Sequence, residues 1–309
     1  MMKYKKIILA GGNGYLGKVL ANYYHSIAGE VIVLSRKPAQ NINNIKTLVW
    51  DGVNDGDWVK ELEGAELLVN LCGKNVNCRY NEANRNEIIR SRVEPTALLG
   101  KVVSQLNQPP QLWINVTSAT IYRHAEDHAQ DELTGEIGYG FSIDVCKQWE
   151  QTFFEQETPQ TRKVALRMGI VLGRSDGVFP RLVNMVKFGL GGKQGNGEQY
   201  ISWVHEQDVA RCTEWLLLHN EMDGIVNCTA TVAIKNKDFM KALRKACGIP
   251  LGLPAPAWLL EIGARLIGTE TELILKSRWV KPLQLVQGGY QFMFSNARHA
   301  IDDILSVRI

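Results

Sequence analysis

The chain has 309 residues, 45% hydrophobic and 22% charged, the balance of a soluble globular protein with a sizeable core. A net charge of +3 is too small to argue for nucleic acid or a membrane surface as partner. The six cysteines, Cys72, Cys78, Cys146, Cys212, Cys228 and Cys247, include no C-x-x-C pair, so they read as free thiols of a reducing compartment, with neither a disulfide framework nor a metal site.

The N-terminal apolar run "IILAGG" is too short for a signal peptide. No run reaches the roughly 20 apolar residues of a membrane span. The expectation is a cytoplasmic protein that handles a small molecule. In chain order, "KIILA" reads as a strand and a helix starts near Tyr15. "VIVLS", "TLVW" and "ELLVNLCG" read as strands, and residues 81–106 as a helix. "LWINVTSA" then reads as a strand, "SIDVCKQWEQTFFEQ" as a helix and "KVALRMGIVLG" as one further strand. Apolar runs without strict alternation suit strands covered on both faces, and their alternation with helices predicts an α/β fold with a doubly wound parallel sheet. After Gly173 the texture changes to a glycine-rich loop, short strands and helices, with "AWLLEIGARLI" and "ELILKSRWV" at helical spacing and "GYQFMFS" as a short strand.

The first strand runs into Gly11, Gly12, Asn13, Gly14, Tyr15, Leu16 and Gly17. Glycines here allow a tight turn, a close backbone approach to a pyrophosphate and close packing of helix on strand, while the helix N-terminus supplies N–H donors. The turn follows a strand, opens a helix and leads to a second strand, the context a dinucleotide site needs. Where an NAD site carries Asp or Glu at the end of that second strand, this chain carries Ser35, Arg36 and Lys37. A carboxylate would repel a 2′-phosphate and a guanidinium binds one, so NADP is expected rather than NAD.

With "ILAGGNGYLG", "VLSRKP", "VNLCGKNV", "EIIRSRVEPTALL", "LRMGIVLGRSDGVFPRLV", "FGLGGKQGNGEQYISWVH" and "ILKSRWVKPLQLVQGGYQF" in order, the chain resembles an extended short-chain dehydrogenase/reductase of the epimerase/dehydratase type. More closely it resembles the atypical YfcH-like branch, whose members carry a C-terminal domain of unknown function. The resemblance implies that Ser35 and Arg36 hold the 2′-phosphate and that Leu71, Cys72 and Gly73 lie along the adenosine and ribose. It also implies that Glu87 and Arg92 face the cofactor from the next helix and that Arg167 reaches it from the sixth strand. An arginine inside an apolar strand needs an anion or acceptors beside it in any case.

Active members of the wider superfamily pair a Ser or Thr with Tyr and Lys, the Tyr four residues before the Lys on one helix face. Ser118 stands where the hydroxyl belongs, and Lys147 lies on the expected helix, but Ile143 stands four residues before it. Tyr122 and Tyr139 are the tyrosines nearest in sequence, and Tyr139 is the candidate that flanking glycines could let swing inward. Ile201 falls where nucleotide-sugar enzymes place a diphosphate-binding arginine, which weakens a nucleotide-sugar reading. Trp203 and His205 could line a pocket, but a tryptophan and a histidine at a strand end are more often domain packing. The expected organisation is a Rossmann-type NADP-binding domain over 1–172 and a substrate or lid region over 173–309, with the chain partly re-entering the first sheet near 204–227. Two functions stand open: an NADP-dependent oxidoreductase or epimerase-like enzyme with a degenerate Tyr-x-x-x-Lys motif, or a non-catalytic NADP-binding redox sensor.

Overall fold

The computed structural model describes residues 2–267 and 270–306. Eleven strands occur among the described residues, and seven of them form the main sheet. These seven are β1 (Tyr4–Ala10), β2 (Ala28–Ser35), β3 (Ile45–Val49), β4 (Leu67–Asn70), β5 (Leu112–Ser118), β6 (Arg162–Met168) and β10 (Gly224–Cys228). Their order across the sheet is β3-β2-β1-β4-β5-β6-β10, and every pair is parallel. The chain leaves β1 toward β2 on one side of the sheet and leaves β4 toward β5 on the other. The connections at the C-terminal ends of the neighbouring strands β1 and β4 therefore run in opposite directions, and such a switch point in a doubly wound sheet is where ligands lodge.

Alternate side chains of β1 serve two cores. Ile7 and Leu9 pack with Leu20 and Tyr24 of α1 (Tyr15–His25) and with Val209 and Leu216 of α5 (Glu206–Leu218). Ile8 and Ala10 pack with Leu99 and Val102 of α2 (Glu82–Val103) and with Phe153 of α3 (Phe141–Phe154). Burial on both faces is why these strands lack polar alternation. A third core gathers Phe179 and Val183 of α4 (Val178–Lys187), Phe239 and Leu243 of α6 (Asn236–Ala246) and Ile301 of α10 (Ala297–Ser306) around Trp203. Among the described residues no helix is long and apolar enough to cross a membrane.

The structure departs from the sequence expectations in three places. "KVALRMGIVLG" is not one strand. It breaks at Gly169, and β7 (Ile170–Leu172) pairs with β9 (Trp203–His205) while β10 takes the edge beside β6. A side chain at 169 would begin 2.8 Å from the Ser202 carbonyl oxygen, so only glycine lets the two backbones pass that closely. "GYQFMFS" is not a strand either. Its Met293 and Phe294 amides donate to the buried carboxylate of Asp208 at 2.8 and 3.0 Å, so a side chain replaces the ladder partner. "ELILKSRWV" is helical only over α8 (Glu272–Leu275), after which residues 276–280 run extended as a strap. The expected helix at "AWLLEIGARLI" forms as α7 (Ala257–Ile267); the side chains of residues 263–267 lie outside the described set.

The strap is sewn between two segments. On one side Ala125 N–H donates to Ser277 O, Ser277 Oγ donates to Ala125 O at 2.6 Å, and Gln130 N–H donates to Trp279 O at 2.7 Å. On the other, β8 (Tyr200–Ile201), which pairs with β11 (Ile234–Lys235), receives Arg278 N–H on Tyr200 O at 2.9 Å, and Val280 N–H donates to Ser202 Oγ at 2.8 Å.

Candidate functional site

A cleft of about 690 Å³ opens at the ends of β1, β2 and β4. Gly11, Asn13 and Gly14 line one wall. Gly11 has φ +71°, and a side chain there would meet Cys72 Sγ at 2.8 Å, so both conformation and space require glycine. A Cβ at Gly12 would strike Leu9 at 2.8 Å. Gly17 packs backbone to backbone, since a Cβ there would lie 2.1 Å from the Gly12 carbonyl oxygen. Gly14 differs from all of these. A Cβ there would meet nothing within 4 Å, and Gly14 is the N-cap of α1. The turn therefore leaves space against the helix N-terminus, the cradle that a pyrophosphate fits. Tyr15 and Leu16 back the turn: the Tyr15 hydroxyl donates to the Glu206 carboxylate, and Leu16 packs on the first core.

At the end of β2, Ser35, Arg36 and Lys37 line the same cleft. Ser35 is buried and its Oγ accepts the Lys37 N–H at 3.2 Å. Arg36 is exposed, and neither a hydrogen bond nor an ion pair among the described residues engages its guanidinium. Asp51, on the opposite lip, is committed to the Asn54 and Val53 amides, and those bonds hold its carboxyl below the usual range.

Leu71, Cys72 and Gly73 follow β4 along the cleft floor, and Glu87 faces it from α2. Burial pushes the Cys72 thiol up to about 12, so the group lining the cleft is neutral near pH 7. Arg92 is held by local contacts. Its Nη1 and Nη2 donate to the Ile88 and Lys74 carbonyls at 2.9 and 3.1 Å, and the guanidinium lies 5.1 Å from the Trp149 ring centroid. It pins the loop after β4 to α2. Arg167 has its anion already. Nε and Nη2 grip Glu150 at 2.8 and 2.7 Å, and the guanidinium covers the Tyr122 ring at 4.9 Å.

The second corner lies at the end of β5. Ser118 Oγ accepts the Thr120 N–H at 3.2 Å, and among the described residues no acceptor engages its own proton. Lys147 is on the exposed side of α3 with no bonding partner among the described residues, and Tyr139 is 92% exposed. The face of α3 that meets the turn after β5 carries Ile143 and Cys146, which cluster with Ala119, Ile121 and Tyr122. Tyr122 is buried and its hydroxyl donates to Asn227 Oδ1 at 3.1 Å. The cation that reaches this corner comes from the strap. Lys276 Nζ donates to Thr120 O at 3.0 Å, and Arg278 Nε donates to Thr120 Oγ1 at 3.1 Å. Ser142 on α3 donates to Glu272 Oε2 at 3.2 Å. Among the described residues no group of His, Cys, Asp or Glu could hold a metal ion.

The profile of the NAD dependent epimerase/dehydratase family matches residues 7–229. The chain belongs to that family. Residues 255–304 match a domain of unknown function, DUF1731, which holds α7, α8, the strap and most of α10. The chain is 28% identical over 305 residues to mouse epimerase family protein SDR39U1, covering 97% of this chain and all of that one. A crystal structure of human SDR39U1 (isoform 2) with NADPH superposes with TM-score 0.87 at 27% identity, covering 97% and 99% of the two chains. The nucleoside-diphosphate sugar epimerase of Corynebacterium glutamicum gives TM-score 0.78 at 26% identity, covering 98% of this chain and 58% of that one. This epimerase/dehydratase chain departs from a tyrosine–lysine arrangement on α3, and Ile201 is part-buried on the third core. Trp203 and His205 are packed inside, His205 stacking on Phe294 at 4.0 Å between ring centroids. Reading the sequence missed Thr120, Ser142 and Lys276. The one signal was "ILKSRWVKP", a stretch whose role depends on what it touches.

Proposed function

We propose that this chain is an NADPH-dependent oxidoreductase of the epimerase/dehydratase family that acts on a small carbonyl or alcohol. The observation that carries the reading is the pairing, in one cleft, of the Gly14 cradle at the α1 N-terminus with an Arg36 at the end of β2 whose guanidinium no bond among the described residues engages. The backbone amides after Gly11 would hold the pyrophosphate, and Arg36 with Ser35 would hold the 2′-phosphate, which makes NADPH the preferred cofactor over NADH. The solved human relative with NADPH supports that choice. When bound, NADPH supplies a hydride. The chain's own residues supply the rest. Ser118, at the end of β5, keeps its hydroxyl proton available for a substrate oxygen, because among the described residues Oγ is occupied only as an acceptor. The strap reaches this corner through the bonds of Lys276 and Arg278 to Thr120. The substrate reading is a small molecule in the cytoplasm, without nucleic acid or membrane.

The test is twofold. NADPH affinity is measured by fluorescence titration, and NADPH oxidation is followed across a panel of small aldehydes, ketones and keto acids. Binding with turnover supports the reading. Tight binding without turnover across the panel would leave the cofactor assignment and remove the oxidoreductase one.

A further inference from the structure

We propose that Lys276, delivered by the C-terminal strap, is the proton-donating catalytic residue at the substrate oxygen, in place of a tyrosine–lysine pair on α3. The inference rests on the oxidoreductase reading above and adds the residue that reading lacks. Carbonyl reduction needs a proton donor beside Ser118, and the other candidates are either exposed or committed elsewhere. Lys147 and Tyr139 are exposed, and the Tyr122 hydroxyl is spent on Asn227 in the core. On α3 the positions turned to the end of β5 are Ile143 and the buried thiol of Cys146, neither of them a proton donor near neutral pH.

Lys276 meets the requirement by placement. Its Nζ donates to Thr120 O at 3.0 Å, and Thr120 N–H donates to Ser118 Oγ at 3.2 Å, so one turn carries the hydroxyl and anchors the amine. The amine has three donors and one acceptor among the described residues, which leaves two N–H bonds for a substrate oxygen. The strap cannot drift, because Ser277 and Trp279 are bonded to the 125–130 segment and Arg278 to Tyr200. The groups around the amine are Thr120 after β5, Cys146 on α3, Glu272 in α8 and Arg278 on the strap. Burial, aided by Arg278 and opposed by Glu272 and Cys146, brings its pKa down to about 8, where the group can both give and take a proton near neutral pH.

In the reductive direction bound NADPH would supply the hydride for the new C–H bond at the carbonyl carbon and would become NADP⁺. The C=O π pair moves to oxygen, an Nζ–H bond breaks as the O–H bond forms, and solvent returns a proton to the neutral amine. In the oxidative direction the neutral amine takes the alcohol proton.

The test reads the amine itself. The folded protein is labelled with acetic anhydride from about pH 6 to 11, with NADP⁺ or NADPH bound, and each lysine is scored by mass spectrometry. Lys276 is expected to reach half-reactivity near pH 8 and, at pH 7, to label at least about tenfold faster than Lys147. The cationic ring of NADP⁺ disfavours a neighbouring ammonium, so labelling of Lys276 is expected to be at least about threefold faster with NADP⁺ than with NADPH, with Lys147 unchanged. Lys276→Met and Lys276→Arg are expected to bind NADPH with the wild-type Kd and to lose the pH limb near 8 in any turnover found. Labelling of Lys276 in step with surface lysines, or equal rates with the two cofactors, overturns the inference while the oxidoreductase reading stands. Failure to bind NADPH overturns both.

Discussion

Arg167 and Glu150 form a two-point ion pair in the interior, Nε to Oε1 at 2.8 Å and Nη2 to Oε2 at 2.7 Å, with the residues 4% and 6% exposed. Thr117 Oγ1 adds a third bond to the same carboxylate at 3.0 Å. The pair ties α3 to β6 beneath the Tyr122 ring. An arginine buried in an apolar strand is thus satisfied inside the protein.

The first prediction follows. Glu150→Gln strands a buried guanidinium, and unfolding in urea is expected to show a loss of about 3–5 kcal/mol. Glu150→Gln with Arg167→Met is expected to recover part of that loss. If the single variant is as stable as the wild type, the pair is not what holds α3 to β6.

Arg36→Ala is expected to weaken NADPH by about ten- to a hundredfold, the size of a charged hydrogen bond, and to leave NADH nearly unchanged. Fluorescence titration with each nucleotide checks this. Equal loss for both nucleotides would mean that Arg36 does not read the 2′-phosphate.

Two glycines of one turn should fail differently. Gly17→Ala drives a Cβ to 2.1 Å from the Gly12 carbonyl oxygen, so thermal unfolding is expected to fall steeply. Gly14→Ala adds a methyl into open space at φ −74°, so stability should hold while NADPH affinity drops. An unaltered affinity in Gly14→Ala would argue that the cradle holds no pyrophosphate.

His205 sets a pH dependence. Burial depresses its pKa below the ordinary histidine value, outweighing Asp303, Glu206 and Asp208. The unfolded chain then binds more protons than the folded one once pH falls through about 6.5, so His205 contributes stability above that value and loses it progressively below. Guanidinium unfolding at pH 7.5 and at pH 5.5 measures it. His205→Asn keeps a cap for the Gln207 amide and is expected to flatten the difference between the two pH values, though its absolute stability falls with the lost Phe294 stacking.

Cutting the chain after Gly248 removes Met293 and Phe294, whose amides bond the fully buried Asp208 carboxylate, and also removes Ile301 from the third core. The truncated protein is expected to aggregate. A soluble fragment with the parent's unfolding midpoint would show the tail to be dispensable.

The glycine turn was legible in the sequence because its geometry is carried by backbone. Glycines at 11, 14 and 17 act through what they lack, and spacing alone records that. The place of Arg36 was legible because the apolar run of β2 marks where that strand ends, and the structure sets Arg36 on the cleft there. The β5 corner was not. Tyr-x-x-x-Lys spacing identifies a helix face only when both residues are present, and with Ile143 in one position nothing in the sequence says whether Lys147 or Cys146 turns inward. The packing of Ile143 and Cys146 against Ala119 decides it. Lys276 could not be read at all, since its anchor Thr120 lies 156 residues earlier in the chain. Gly169 misled for a related reason, because the backbone it must pass, at Ser202, is remote in sequence.

The strap's two-sided stitching also governs how far parts can be exchanged. Residues 276–280 bond the 120–130 segment on one flank and Tyr200 and Ser202 on the other, so the C-terminal stretch is not a cassette. A hybrid that swaps 255–304 alone between two relatives would pair each strap with a stranger's loops and strand the buried Ser277 hydroxyl that Ala125 now accepts. Only hybrids that carry all three segments together keep the corner intact, and sequence drift in any one of them obliges compensating change in the other two.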